Sequence, residues 1–149
     1  MINAEQLKKL NTMKDTILVV GCAQMAFVHG KLRHIPNHDV YHMYGSEALR
    51  FAQNYSDHIS IAVTECYHPV HSGLSDSHTE RGRNAGPMIV DELRKLHHET
   101  TFFLLNSSPE QERMISHDRV VFVQAPNFWE LDHLVGLVER QVHTLCAAA

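Results

Sequence analysis

Residues 16–22 read Thr16-Ile17-Leu18-Val19-Val20-Gly21-Cys22, an unbroken apolar run closed by a glycine. A strand with one wet face alternates apolar and polar side chains. A run without that alternation is apolar on both faces, as in a buried strand of a parallel sheet. Thr101-Phe102-Phe103-Leu104-Leu105 and Val120-Val121-Phe122-Val123 repeat the pattern, and Ile59-Ser60-Ile61-Ala62-Val63-Thr64 reads as a further strand. A fifth segment, Asp39-Val40-Tyr41-His42-Met43-Tyr44, alternates weakly and is rich in strand formers.

Helical spacing fills the intervals between these runs. Met25, Phe27, Val28 and Leu32 share a face in 23–35, and Pro36-Asn37 stops that segment. Ala48, Leu49, Phe51 and Ala52 do the same in 47–55. Pro87 suits the first turn of a helix whose core face is Met88, Ile89, Leu93 and Leu96. Ser107-Ser108-Pro109-Glu110 reads as the start of a short helix ending near His117. Trp129, Leu131, Leu134, Val135, Leu137, Val138 and Val142 outline a final one. Ahead of the first strand, Leu7, Leu10 and Met13 predict a short amphipathic helix. Strands alternating with helices predict an α/β fold, a three-layer parallel sheet covered on both faces.

The expected division is a helical extension over 1–15 and a single domain over 16–146, with 147–149 as vector-derived alanines. Residues 65–85 carry no helical periodicity and form a long loop, a length usually associated with function or disorder.

At 149 residues, 44% hydrophobic and 20% charged, the chain can build one core. Lys and Arg number 13 against 17 Asp and Glu, for a formal charge of −4. That balance lacks the clustered cations of a nucleic-acid binder. No apolar run approaches the roughly 20 residues of a membrane span. Three cysteines without paired spacing suit a reducing, cytoplasmic compartment. No P-loop, dinucleotide fingerprint or nucleophile elbow is present, so the reading is of a non-enzyme needing no cofactor.

The order of the pieces resembles the receiver domains of bacterial two-component response regulators, over roughly 16–142. The landmarks are ILVVGC at the end of a first strand, GSEALRFAQ as a second helix, VTECYHP followed by HSG as the acceptor strand and its proline loop, and FVQAPNFWELDHLV as the last strand, X-Pro step and final helix. The resemblance implies a flavodoxin-like, doubly wound five-stranded sheet of order 2-1-3-4-5. It also implies a reaction centre, and the chain departs from it at the acidic pair, the acceptor, the hydroxyl and the lysine. Gly21 and Cys22 stand where the family's acidic, Mg²⁺-holding pair belongs. Glu65 stands at the phosphoacceptor aspartate, four residues before Pro69. Asn106 replaces the Ser/Thr at the end of the fourth strand, Ala125 replaces the lysine before Pro126, and Phe122 occupies the aromatic switch position. Without acids or lysine, phosphoryl transfer loses its electrostatic support. The implied function is that of a degenerate pseudo-receiver, a homodimer acting on a protein partner in signal transduction without phosphorylation. The family's dimer face would here draw on Glu110, Val121, Trp129 and His133.

Several residues carry two readings. Glu65 is a permanent mimic of an activated acceptor, or a surface carboxylate at a strand end. Asn106 donates to Glu65, or caps the following turn. Phe122 and Trp129 are each core or functional. His68, His71 and His78 share the long loop with Cys66, Asp76 and Glu80, which are zinc-ligand types without a zinc spacing. They support a second functional reading, a metal- or small-molecule-responsive regulator working through 65–85. The 13 histidines suggest, finally, a self-association that changes with modest acidification.

Overall fold

The computed structural model describes residues 3–4, 15–55, 57–67 and 84–148, with side chains as far as Leu145. Five parallel strands form one sheet: β1 (Asp15–Val20), β2 (His38–Met43), β3 (Ile59–Glu65), β4 (Thr101–Leu105) and β5 (Val120–Val123). Their order is β2-β1-β3-β4-β5. The helices are α1 (Met25–Leu32), α2 (Gly45–Asn54), α3 (Ala85–Leu96), α4 (Pro109–Met114) and α5 (Leu131–Ala148). The expected α/β architecture and strand order are those observed.

The apolar runs divide between two cores, as the period of two requires. Ile17, Val19, Ile61, Val63, Phe103, Leu105 and Val123 face one side of the sheet, where α1 and α5 supply Met25, Val28, Leu32, Leu131, Leu134 and Val138. Leu18, Val20, Ala62, Phe102 and Leu104 face the other, against Ala48 and Ala52 of α2 and Ile89, Val90 and Leu93 of α3. Every residue of β3 and β4 is buried, so neither strand has a wet face on which to place a polar alternation.

The boundaries differ from expectation where local chemistry intervenes. β3 runs through Glu65 and α3 begins at Ala85, two residues before Pro87, so both ends of the expected 65–85 loop belong to regular elements, and most of its interior, 68–83, lies outside the described residues. Gly86 permits that early start, because its amide N–H donates to the Cys66 carbonyl at 2.9 Å. A Cβ there would collide with the Glu65 carbonyl and stand 2.6 Å from Cys66 Cα. The final helix starts at Leu131 rather than Trp129, after a 3-10 turn over Phe128–Glu130. It runs through Ala148, beyond the expected domain end at 146. α4 opens on a capping box: Ser108 Oγ accepts from the Gln111 amide N–H, and the Gln111 side chain accepts from the Ser108 amide N–H. Most of the expected helix at 3–13 lies outside the described residues, and Asp15 belongs to β1.

Candidate functional site

The chain reverses direction across the sheet between β1 and β3, since β2 lies to one side of β1 and β3, β4 and β5 to the other. Crevices at such switch points, beyond the carboxyl ends of the strands, are where open α/β sheets place their sites. Val20 is in register with Thr64, so Gly21 and Cys22 leave β1 beside Glu65 at the end of β3. Three of the residues singled out in the sequence are thereby brought together.

Glu65 is not a surface carboxylate. It is only 5% exposed and turns toward the start of α1. The Cys22 amide N–H donates to Glu65 Oε2 at 3.2 Å, and the Cys22 thiol lies 3.7 Å from Oε1. The Gln24 side-chain amide also donates to Oε1. A carboxylate at a helix N-terminus faces unpaired amide N–H groups and the positive end of the helix dipole. Here the carboxylate comes from the neighbouring strand instead of the helix's own first turn, which holds no acid. Gly21 makes the approach possible, with φ +153° and no Cβ. Gln24 was missed in the sequence reading. The available signal was an amide-bearing side chain at the helix N-cap, one turn from where the strand ends.

The thiols around this carboxylate are held protonated. Burial pushes Cys22 above its ordinary value, and the Glu65 charge adds to the rise. Cys66 is pushed up to about 12, chiefly by burial, with Glu112 contributing. Neither therefore has the low-pKa character of a nucleophilic cysteine.

Neither reading of Asn106 holds: its side-chain bonds go to Ala125 and not to Glu65, and the following turn is capped by Ser108. Its amide instead clamps the backbone of Ala125. Asn106 Nδ2 donates to the Ala125 carbonyl at 3.2 Å, and the Ala125 N–H donates to Asn106 Oδ1 at 2.7 Å. Asn106 has φ +58°, a left-handed conformation that asparagine tolerates better than most residues. Around this clamp, Gln124 Nε2 donates to the Ser107 carbonyl at 2.8 Å and Gln111 Nε2 to Asn84 Oδ1 at 3.1 Å. Side-chain amides thus tie together the connections that follow β4 and β5 and the start of α3.

Phe122 is half-buried against the α2–α3 core, with the His117 ring edge-on at 4.9 Å. Trp129 is not core: it is 73% exposed, and Phe128 beside it is 56% exposed with its ring against Phe27 of α1. Glu110, Val121 and His133 are exposed as well. His68, His71 and His78, with Asp76 and Glu80, lie outside the described residues. Among the described residues, no three His, Cys, Asp or Glu side chains are grouped to hold a metal ion.

Five of the described histidine rings bond to a backbone carbonyl: His29 to Val40, His38 to Pro36, His42 to Gly21, His97 to Ala52 and His117 to Glu112. A carbonyl only accepts, so each ring donates, and it can do so neutral or protonated. Acidification therefore breaks none of these bonds directly.

No protein-family model matches the sequence, and no curated protein does. Among solved structures, the crystal structure of adenylate cyclase from Rhodopirellula baltica is similar over 91% of this chain and 94% of its own, at TM-score 0.58 and 14% identity. The response regulator RcsB of Salmonella typhimurium is similar over 87% of this chain and 61% of its own, at TM-score 0.55 and 10% identity. Among the described residues, no helix is long and apolar enough to cross a membrane. At these identities the likeness is one of architecture, and the architecture is a flavodoxin-like, receiver-like α/β fold.

Proposed function

We propose that the chain is a degenerate receiver-like regulatory domain that acts by protein contact and does not carry a phosphoryl group at Glu65. One observation carries the reading: the only side chain standing at the phosphoacceptor position is a buried carboxylate already bonded by the Cys22 amide and the Gln24 side chain. Positions 21 and 22 contribute a backbone N–H and a thiol where Mg²⁺ would need hard oxygen ligands. The loop before Pro126 contributes Ala125, whose backbone is engaged by Asn106, instead of a cation to neutralise a transferred phosphoryl group. On this reading Glu65 holds β3 against α1 continuously, and output is read from the surface.

The exposed face containing Glu110, Val121, Trp129 and His133 serves as the contact surface, in a homodimer or with a signalling partner. Exposed tryptophan is among the residues most often found as interface anchors. The free thiols of Cys22 and Cys66 accord with a reducing cytoplasm.

The test is exposure of the purified protein to Mg²⁺ with beryllofluoride, followed by amide NMR. Unchanged Gly21, Cys22 and Glu65 resonances are expected. A stoichiometric, Mg²⁺-dependent adduct at Glu65 overturns the proposal.

A further inference from the structure

The end of α1 and the second half of α5 meet on one face of the sheet, where both helices pack on Ile17 and Val19. Between them lies a cavity of about 390 Å³. Lys31 of α1, His34 and Asn37 of the connection to β2, and Glu139, Val142 and His143 of α5 line it. In sequence these are two distant and unremarkable fragments. Lys31 suits the C-terminal turn of a helix, and His143 lies on the wet side of the last one.

The floor of the cavity is apolar and its rim is rich in donors. Val142 belongs to the core between α1, α5 and the sheet, Ile35 packs against that core, and Pro36 completes the lining. Lys31, His34, Asn37 and His143 are exposed above them. An ammonium and an amide donate, and an imidazole offers an N–H whether neutral or protonated. Among the described residues, the side chains of His34, Asn37 and His143 have no hydrogen-bond partner. The Lys31 ammonium has only the Phe27 ring, 5.3 Å from its centroid. Glu139 is ion-paired with neither Lys31 nor His143, so it does not consume these donors. Its charge nevertheless disfavours a dianion such as phosphate more than a single negative charge. Small-molecule sites combine an apolar cavity of about 300–1,000 Å³ with a few polar groups that fix orientation.

We propose that this cavity binds a small organic carboxylate with an apolar body. Lys31 and the rings of His34 and His143 hold the carboxylate, and Ile35, Pro36 and Val142 take the body. A bound ligand would tie the connection between α1 and β2 to the second half of α5. The cavity shares no residue with the Glu65 end of the sheet, so the inference stands apart from the reading of Glu65.

Benzoate and hexanoate serve as probes, titrated into the full chain and followed by amide and methyl NMR. Saturable shifts are expected at Ile35, Asn37, Val142 and His143, with a Kd of about 1–10 mM, the range open to so few ligand atoms. Lys31→Met should weaken benzoate binding by about fivefold or more, and the double variant His34→Gln/His143→Gln likewise. Glu139→Gln should tighten it, because a repelling charge is removed. All four side chains are exposed, and circular dichroism confirms that each variant is folded. Benzyl alcohol, which keeps the ring and lacks the charge, should bind more weakly than benzoate. The proposal fails if benzyl alcohol binds as tightly as benzoate, or if inorganic phosphate shifts the same residues as strongly. It fails equally if neither carboxylate gives saturable shifts by about 50 mM.

Discussion

A Cβ on Gly21 would stand 2.7 Å from Oε2 of Glu65. The two positions are distant in sequence, and one is defined by the side chain the other lacks. The same added methyl would stand 2.7 Å from Met25 Cγ, at a backbone φ of +153° that side-chain-bearing residues avoid. Gly21→Ala should therefore cost about 1–3 kcal/mol. Gly86→Ala, which meets the backbone of Glu65 and Cys66, should cost about 3 kcal/mol or more. Gly30 and Gly136 meet nothing within 4 Å and lie inside α1 and α5, so alanine at either should stabilise by about 0.5–1 kcal/mol. Urea unfolding of the four variants checks the order. Equal effects at Gly21 and Gly30 would contradict the packing of Glu65 against the end of β1.

The Asn106–Ala125 clamp separates two contributions that a single substitution would blur. Asn106→Gly keeps the left-handed backbone and removes both bonds, and should cost about 1 kcal/mol. Asn106→Ala removes the bonds and adds backbone strain, for about 1 kcal/mol more. Thermal melts of the pair give the difference directly. Alanine as stable as glycine would show that the conformation at 106 is unstrained.

Cys66 makes stability depend on alkaline pH. Burial raises its folded value to about 12 from an ordinary 9.0. Between those values the unfolded chain has lost the thiol proton and the folded chain still holds it. Stability is accordingly untouched by this group below about pH 9 and falls above it, by up to about 1.4 kcal/mol per pH unit. Urea midpoints measured from pH 8 to 11 should decline more steeply for the parent than for Cys66→Ala. Parallel declines would mean that the thiol is not buried.

The exposure of Trp129 sets up the test of the contact surface. Its fluorescence should be red-shifted, as for an indole in water, in dilute solution, and should shift to the blue when a partner or second copy covers it. Trp129→Ala should change stability by less than about 0.5 kcal/mol, because the ring lies outside both cores. It should also weaken self-association in sedimentation velocity. A blue emission in the dilute monomer, or dimerisation unaffected by the substitution, counts against the proposed face.

Local sequence carried the elements and their order, since the apolar runs at 17–20, 101–105 and 120–123 have no polar face and so must be covered on both sides, whereas Ser60 and Thr64 share a face of β3 that only the tertiary structure shows to be buried. Ser108-Pro109 located the start of α4 for the same kind of reason: a cap is a contact between residues three apart. The resemblance of four short motifs to receivers was enough to put Gly21, Cys22 and Glu65 at one end of the sheet. It could not say which way Glu65 points, because that depends on a side chain from another element and on the missing Cβ of Gly21. Asn106 was misread for the same reason, its partner being 19 residues away on the next connection. The exposure of Trp129 was likewise undecided until the 3-10 turn placed it outside the core. Composition and periodicity determined that this chain makes a parallel α/β sheet, because burial patterns are written along each strand. Only tertiary structure decided what stands at the carboxyl ends of its strands, the pinned carboxylate of Glu65 and the Asn106–Ala125 clamp, because each is assembled from segments that meet only once the strands are side by side.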